Sequence, residues 1–412
     1  MPGRSAHLTL VSVATALVIT AGSGAPLVGP AQPAPPGPVL AAARALPGCD
    51  SVPAPVEPVT SLPWAQRRYA PDRLAPLATG AGVTVAVIDS GVDNTHAQLR
   101  GQVLAGNDFL DGGSGRRDCA GHGTAVASLI AATPRDGVEF RGLAPEAKIL
   151  PVRVSEQQII DGQQSGRAVS PAVFAQAIRW AVNNGADVIN LSVVLYEDSP
   201  SVKAAIEYAL EKDVVVVAAA GNLGDKGNPM PYPAAYPGVI GVGAINATGQ
   251  RSTFSQSGPY VDLVAPGEAV LVAAPGRGHV EQSGTSYAAP FVAATAALLR
   301  DYRPDLSAAE IAARIIASTD PAPEGAGYGS GVLNPYRALT DTGVVGRPRP
   351  PEAVRPVEVD PAVVAEQARR ASARERAMLV AGIAAGAAVL TVLAAIVVPR
   401  GMRRRWRAAD VA

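Results

Sequence analysis

The chain has 412 residues and a formal net charge of zero at pH 7, with 17% of its side chains charged. This balance excludes a bulk electrostatic attraction to nucleic acid or to acidic surfaces, so we expect no nucleic-acid partner. The length allows more than one domain, but both ends of the chain have a non-globular composition.

The N-terminal region has the form of a secretory signal. Two side chains of basic type, Arg4 and His7, precede an apolar run that ends near Ala21 and is too short to span a bilayer. We therefore predict a signal peptide within residues 1–35. Several Ala-x-Ala-like sites between residues 21 and 45 leave the cleavage site open, and an uncleaved N-terminal anchor is the alternative reading.

Residues 46–77 follow as an N-terminal extension, in which a helical pattern starts near Trp64. The extension contains one of the two cysteines of the chain, Cys49, and the other is Cys119. In an exported protein such a pair most often forms one disulfide, so we predict a Cys49–Cys119 bond. Two unpaired cysteines are the alternative, whereas the lack of a Cys-x-x-Cys motif argues against a catalytic or metal-binding role.

Residues 78–340 alternate between short apolar runs and amphipathic segments, which is typical of a doubly wound α/β domain. Near-continuous apolar strands predict a parallel sheet with helices on both faces. The predicted strands are Val83–Ile88, Lys148–Val152, Asp187–Leu191, Val214–Ala219 and Val239–Val242. The predicted helices are Ala125–Ala132, Pro171–Asn183, Ser201–Lys212, the pattern from Ser286 to Leu299, and Ala308–Ala317.

The C-terminal region has the organisation of a membrane anchor. A Pro-rich linker (residues 343–361) and a charged juxtamembrane helix (362–377) precede an uncharged apolar segment (378–398). As a helix this segment is long enough to cross a hydrocarbon core of about 30 Å, so we predict one transmembrane span. The Arg-rich tail (399–412) and the signal peptide together predict a single-pass protein of the cell membrane, with its globular domain outside and its C-terminus in the cytoplasm. Nucleic-acid binding by the tail is the weaker alternative.

Three short motifs carry the chemistry. They are Val-Ile-Asp-Ser-Gly around Asp89, Gly-His-Gly-Thr around His122, and Gly-Thr-Ser-Tyr-Ala-Ala-Pro around Ser286. The order Asp, His, Ser and the three local contexts resemble the subtilase family of serine proteases, and this order differs from that of chymotrypsin-like and α/β-hydrolase enzymes.

The resemblance implies a role for each of these residues. Ser286 would be the nucleophile, His122 the general base and acid, and Asp89 the group that orients the histidine. Asn222 matches the oxyanion-hole asparagine of the family, although a Gly-Asn turn at a strand end is the simpler alternative. The other two histidines of the exported part, His96 and His279, lack such a context and are expected at the surface or in packing.

Asn190, Leu191 and Ser192 match the strand that lines the substrate cleft in subtilases, so we predict that they bind substrate. The family usually has a glycine shortly after this serine, whereas this chain has Val193 and Val194. Valine side chains should narrow the cleft and make substrate choice more selective. No calcium loop of alternating Asp and Asn is visible, so we predict no metal or cofactor.

The arrangement of signal, extension, protease domain, linker and span resembles the mycosins, the membrane-anchored subtilases of actinobacterial type VII secretion systems. In that family the extension wraps the protease domain, which we therefore expect of residues 46–77. The implied partners are protein substrates, the secretion membrane complex and the membrane. Three hypotheses stand: an active endopeptidase of type VII secretion that processes secreted substrates, a scaffold that stabilises the secretion complex, and a general cell-surface protease.

Overall fold

The computed structural model describes residues 59–160 and 163–342, and all elements named here lie in those ranges. The helices are α1 (Trp64–Tyr69), α2 (Pro71–Leu74), α3 (His122–Ala131), α4 (Pro171–Asn183), α5 (Pro200–Glu211), α6 (Thr285–Tyr302), α7 (Ala308–Ala317) and α8 (Pro335–Thr340). The strands are β1 (Thr84–Asp89), β2 (Asn107–Asp108), β3 (Lys148–Arg153), β4 (Gln158–Ile160), β5 (Gln163–Ser165), β6 (Val188–Leu191), β7 (Val215–Ala219), β8 (Ile240–Ile245), β9 (Leu263–Pro266), β10 (Val270–Ala273) and β11 (His279–Gln282).

A seven-stranded sheet in the order β2-β3-β1-β6-β7-β8-β9 forms the centre of the domain. Its neighbouring strands pair in parallel, with Ile88 of β1 opposite Val152 of β3 and Leu191 of β6. Strand pairs β4–β5 and β10–β11 are separate antiparallel hairpins. The predicted parallel sheet is confirmed, and β2 and β9 extend it at its two edges.

Helices cover both faces of the sheet, as predicted, and the side-chain alternation of β1 shows why. Val85 and Val87 belong to the core that contains α3 and α6, whereas Ala86 and Ile88 belong to the core that contains α4 and α5. A strand buried on both faces needs apolar residues at every position, which explains its continuous apolar sequence.

Helix α6 is the central helix of one face. Every residue from Thr285 to Leu299 is buried, and most of them are alanines or other small residues. Small side chains allow the helix axis to approach the sheet closely. The first turn of α6 thereby lies against the sheet, close to the ends of its strands.

The first described segment packs on the same face of the domain as α6. The ring of Tyr69 in α1 lies 5.2 Å from the ring of Phe291 in α6. The guanidinium of Arg73 in α2 lies over the ring of Tyr336 in α8, 4.5 Å from its centroid. These contacts join the beginning and the end of the described chain.

Several predictions fall outside the described residues. They concern the signal peptide (1–35), the first part of the extension (46–58), the linker (343–361), the juxtamembrane helix (362–377), the span (378–398) and the tail (399–412). No helix among residues 59–160 and 163–342 is long and apolar enough to cross a membrane.

Candidate active site

The candidate site residues lie at one edge of the sheet, at or just beyond the ends of three neighbouring strands. Asp89 is the last residue of β1, Ser192 follows β6, and Asn222 lies just beyond β7. Because β1, β6 and β7 are adjacent and parallel, their carboxyl ends meet at the same edge. Helix α6 begins at this edge with Thr285 and Ser286.

His122 and Asp89 form a hydrogen-bonded pair. His122 Nδ1 lies 2.7 Å from Asp89 Oδ1 and 2.9 Å from Oδ2. A carboxylate only accepts, so Nδ1 carries the proton and Nε2 is left as the basic nitrogen. Asp89 is almost fully buried, and Oδ1 also accepts from the Ser90 N–H at 2.6 Å.

The glycines on either side of His122 have separate structural reasons. Gly121 caps helix α3 in the left-handed conformation, with φ of 79°, which a side chain disfavours. A Cβ at Gly123 would lie 2.0 Å from the carbonyl oxygen of Gly91, so no larger residue fits there. The Gly-His-Gly motif therefore places the imidazole directly beside the strand end that carries Asp89.

The electrostatic surroundings favour the imidazolium form of His122. Burial alone would lower its pKa, but the charge of Asp89, the hydrogen bond to Asp89 and the charge of Asp118 together raise it above 6.5. The ring of Tyr287 packs against the imidazole, with ring centroids 5.3 Å apart. A histidine in these surroundings can take up a proton during a reaction without leaving its position.

Ser286 lies at the start of α6, with 7% of its surface exposed. Its hydroxyl donates to the backbone carbonyl of Ser192 at 3.3 Å, and the Ser192 hydroxyl donates to the Ser286 carbonyl at 3.1 Å. Within the described ranges no hydrogen bond joins the Ser286 hydroxyl to His122. Tyr287, its chain neighbour, contacts the His122 ring, so the first turn of α6 lies next to the histidine.

The side chain of Asn222 is fixed by Thr285. Asn222 Oδ1 accepts from the Thr285 N–H at 2.8 Å and from its hydroxyl at 2.9 Å. The amide oxygen is therefore occupied, and Nδ2 remains as a donor next to Gly284, where a Cβ would lie 3.2 Å from it. As the second residue of α6, Ser286 has no partner within the helix for its own backbone N–H. Asn222 Nδ2 and the Ser286 N–H are thus the two candidate donors for an oxyanion.

The predicted substrate strand is mostly internal. Asn190 and Leu191 have no exposed surface, whereas Ser192 is 7% exposed. Asn190 Nδ2 donates to the Ser192 hydroxyl at 2.9 Å and so supports it from within. Of these three residues, only Ser192 reaches the surface. Val193 and Val194 follow it and are partly buried against opposite cores.

Asp118 is a site residue that the sequence analysis did not identify. Its carboxylate accepts hydrogen bonds from Ser90, from Gly121 and from Thr124, three residues that adjoin the candidate pair. Burial raises the pKa of Asp118 to about 6. The sequence signal that could have identified Asp118 is the presence of an acidic residue four positions before His122.

His96 and His279 pack against each other away from Asp89. Their ring centroids are 5.6 Å apart in an edge-to-face arrangement, and both residues are buried. His279 Nε2 donates to Gln98 Oε1 at 2.7 Å, because the Gln98 amide nitrogen donates to two backbone carbonyls. Of the two expected positions, at the surface or in packing, both histidines occupy packing positions.

Two further predictions concern metals and cysteines. In the part of the chain that the structure describes, no group of three or more His, Cys, Asp or Glu side chains is placed to hold a metal ion. Cys49 lies outside the described residues, so the Cys49–Cys119 disulfide stays a prediction.

Comparison with known proteins agrees with this geometry. The sequence model of the Subtilase family matches residues 80–344. The chain belongs to the subtilase family. It is 36% identical to the Major intracellular serine protease of Bacillus subtilis (strain 168) over 264 residues, which cover 61% of this chain and 80% of that protein.

Mycosins are also among the relatives of this subtilase. It is 38% identical to Mycosin-1 of Mycobacterium tuberculosis (strain ATCC 25618 / H37Rv) over 328 residues, which cover 68% of this chain and 73% of Mycosin-1. The structure of the serine protease MycP1, described as an essential component of the type VII (ESX-1) secretion system, matches with a TM-score of 0.60 at 34% identity and covers 70% of this chain and 91% of MycP1. This subtilase is a mycosin-like serine endopeptidase.

Proposed function

We propose that this subtilase is a membrane-anchored endopeptidase that acts outside the cytoplasmic membrane in type VII secretion and processes secreted substrates. Asp89, His122 and Ser286 form its catalytic triad. The observation that carries the proposal is the 2.7 Å bond between His122 Nδ1 and buried Asp89, at the sheet edge where α6 presents Ser286. A serine beside an oriented histidine is the arrangement that acyl transfer requires.

The first chemical step is attack on a peptide carbonyl. The Ser286 hydroxyl turns from the Ser192 carbonyl toward His122 Nε2, which takes the proton as the oxygen forms a bond to the carbonyl carbon. The imidazolium is stabilised by Asp89. The oxyanion accepts hydrogen bonds from Asn222 Nδ2 and the Ser286 N–H.

The second step releases the amine and then the acid. His122 gives its proton to the leaving amine, which breaks the peptide bond and leaves an ester on Ser286. A water molecule then attacks this ester while His122 takes one of its protons. The ester C–O bond then breaks, the carboxylic acid leaves, and His122 returns the proton to the Ser286 oxygen, so the cycle needs no group beyond these residues and water.

The cellular part of the proposal rests on sequence features and on relatives. A signal peptide and a span at residues 378–398 would place the protease domain outside the cytoplasmic membrane with the C-terminus inside. The similarity to Mycosin-1 and to a component of a type VII secretion system supports a role in secretion. Ser192 is the substrate-binding residue with exposed surface, and Asn190 and Leu191 support it.

A fluorophosphonate probe tests the triad on the full-length chain in detergent. We expect covalent labelling of the wild type, and none in Ser286→Ala or His122→Ala. Ser201→Ala is a matched control, because Ser201 is also the second residue of a helix but has no adjacent histidine. Equal labelling of the wild type and Ser286→Ala would contradict the proposal, as would an unlabelled but folded wild type.

The scaffold hypothesis is a second candidate, favoured by the description of MycP1 as an essential component of a secretion system. It is separated from the first by complementation of a host strain that lacks this gene. A protease function predicts that Ser286→Ala leaves secreted substrates uncut. A purely structural function predicts normal export and normal processing with the same variant.

A further inference from the structure

We infer that Asp118 is a positioning residue for catalysis, which holds His122 against Asp89 by fixing the residues on both sides of the histidine. The inference rests on the proposed triad. Asp118 touches neither the substrate nor the reacting atoms, and it acts through the loop before α3 and through Ser90.

The carboxylate of Asp118 is saturated with donors. Oδ1 accepts from the Ser90 hydroxyl at 2.8 Å and from the Gly121 N–H at 2.8 Å. Oδ2 accepts from the Thr124 N–H at 2.8 Å and from the Thr124 hydroxyl at 2.5 Å. Asp118 is 5% exposed, so these bonds replace hydration almost completely. Donors on both oxygens favour the ionised form.

These bonds enclose the catalytic pair. Gly121 precedes His122, and Gly123 follows it and donates its N–H to the Ser90 hydroxyl at 2.9 Å. Ser90 follows Asp89 directly in the chain. One buried carboxylate therefore links the residue after the aspartate to the residues before and after the histidine. No other acidic side chain among the described residues makes this connection.

Asp118 also contributes charge. The titratable groups that face His122 are Asp89 from β1, Asp118 from the loop before α3, and Tyr287 from α6. Burial raises the pKa of Tyr287, which keeps this phenol neutral. Burial raises the pKa of Asp118 to about 6, so the carboxylate is charged above that pH. Its negative charge favours the imidazolium and raises the pKa of His122.

The test is the rate of fluorophosphonate labelling against pH for the full-length chain. The acid limb of this profile reports the deprotonation of the general base. Asp118→Asn places an amide among N–H and O–H donors and removes a negative charge. We expect slower labelling by at least about tenfold, because the histidine is less well held. We also expect the acid midpoint to move to lower pH by about 0.5 unit, because the imidazolium loses a neighbouring anion.

Ser90→Ala is the matched variant, since it breaks the link from Asp118 to Gly123 but keeps the charge of Asp118. It should label more slowly with an unchanged acid midpoint. A wild-type midpoint in folded Asp118→Asn would overturn the inference. If Asp118→Asn does not fold by circular dichroism, a wild-type labelling rate in Ser90→Ala overturns it instead. Failure of the triad itself gives a different result, because the wild type would then show no labelling that depends on His122 and Ser286.

Discussion

Trp64 donates its indole N–H to the backbone carbonyl of Ala269 at 2.8 Å, although 205 positions separate them in the chain. Ala269 is held in the left-handed region, with φ of 51°. Its own N–H donates to the Ser283 hydroxyl at 2.9 Å, and the neighbouring Gly267 carbonyl accepts from the Gly284 N–H at 2.7 Å. The first described helix thus braces the loop that leads into Ser286.

Loss of the indole N–H should weaken this brace. Trp64→Phe is expected to lower the free energy of unfolding by about 1 kcal/mol, the usual net value of one hydrogen bond, and to slow probe labelling of Ser286. Urea unfolding and labelling rates measure the two effects. Trp180→Phe is the control for lost ring area, because Trp180 packs edge-on against Phe109 on the other face of the sheet. An equal loss of labelling in both variants would contradict the brace.

The backbone of Ala269 should favour glycine. An L-residue with a Cβ is disfavoured in the left-handed region, so Ala269→Gly is expected to raise the free energy of unfolding by about 0.5–1 kcal/mol. Ala204→Gly on the exposed face of α5 should lower it by a similar amount, because a helical position favours alanine. Urea unfolding of both variants measures the contrast. A loss of stability in both would mean that the conformation of Ala269 is not the controlling factor.

Removal of the Asn222 amide should slow catalysis far more than it affects folding. Removal of one oxyanion-hole donor in subtilisin costs about 10²–10³ in kcat, and we expect a loss of that order for Asn222→Ala with a peptide substrate. The control is Asn246→Ala, since the Asn246 side chain caps an exposed turn by accepting from Thr248. If Asn222→Ala lowers kcat by less than about tenfold, the simpler interpretation applies, in which Asn222 only forms a turn.

His279 should make the stability of the fold sensitive to acid. Burial, followed by the nearby His96, lowers the pKa of His279 from 6.5 to about 4. Between these two pH values His279 is protonated in the unfolded chain but not in the folded chain. The free energy of unfolding therefore falls as the pH drops from about 6.5 to about 4. Burial also lowers the pKa of His96, although the hydrogen bond to the Gly278 carbonyl and the charge of Asp93 oppose this shift and Arg135 assists it.

The pH effect is measured by urea unfolding between pH 4 and pH 8. His279→Gln can still donate to Gln98 but does not titrate, so its stability should depend less steeply on pH in this window. The slope that remains belongs to His96 and to other titrating groups. A slope identical to that of the wild type would mean that His279 is already protonated or already accessible in the folded state.

Arg153 should be essential for stability. It lies at the end of β3 opposite Asp89, has no exposed surface, and donates to Asp108 at 2.5 Å, to Asp111 at 3.0 Å and to Glu156. Arg153→Met would leave these carboxylates without their buried counter-ion and should cost roughly 3–5 kcal/mol.

Arg167 provides the control for this prediction. It pairs with Asp111 and Glu156 as well, but its side chain is 48% exposed. Because exposed ion pairs contribute little, Arg167→Met should change the free energy of unfolding by no more than about 1 kcal/mol. Thermal and urea unfolding compare the two variants, and equal effects would contradict the role of burial.

The sequence predicted the elements whose signals are local. Helix α4 has the predicted bounds because Ser170 caps its first turn and Pro171 fits the first helical position. Helix α3 begins three residues earlier than the predicted Ala125, at His122, because Gly121 caps it there and the Asp118 carboxylate accepts from the Thr124 N–H in its first turn. The edge strand β2 has only two residues, too few for any periodic signal.

In the candidate site, too, local sequence motifs were predictive and long-range contacts were not. The motifs around Asp89, His122 and Ser286 are short, and the structure brings these residues to one edge of the sheet. Contacts between distant segments were not predictable. Arg153 pairs with Asp108, from which it is separated by 45 positions, and His279 is hydrogen-bonded to Gln98, from which it is separated by 181 positions. The rotamer of Ser286, with its hydroxyl on the Ser192 carbonyl, also depends on tertiary packing.

The hydrogen bonds between Thr285 and Asn222 have a further consequence. Thr285 directly precedes Ser286, so the Asn222 side chain is attached to the same helical turn as the proposed nucleophile. A displacement of the first turn of α6 would carry both groups together, and their mutual spacing would survive it. A substitution that shifts the first turn of α6 is therefore expected to affect both proposed roles together, nucleophilic attack by Ser286 and oxyanion stabilisation by Asn222.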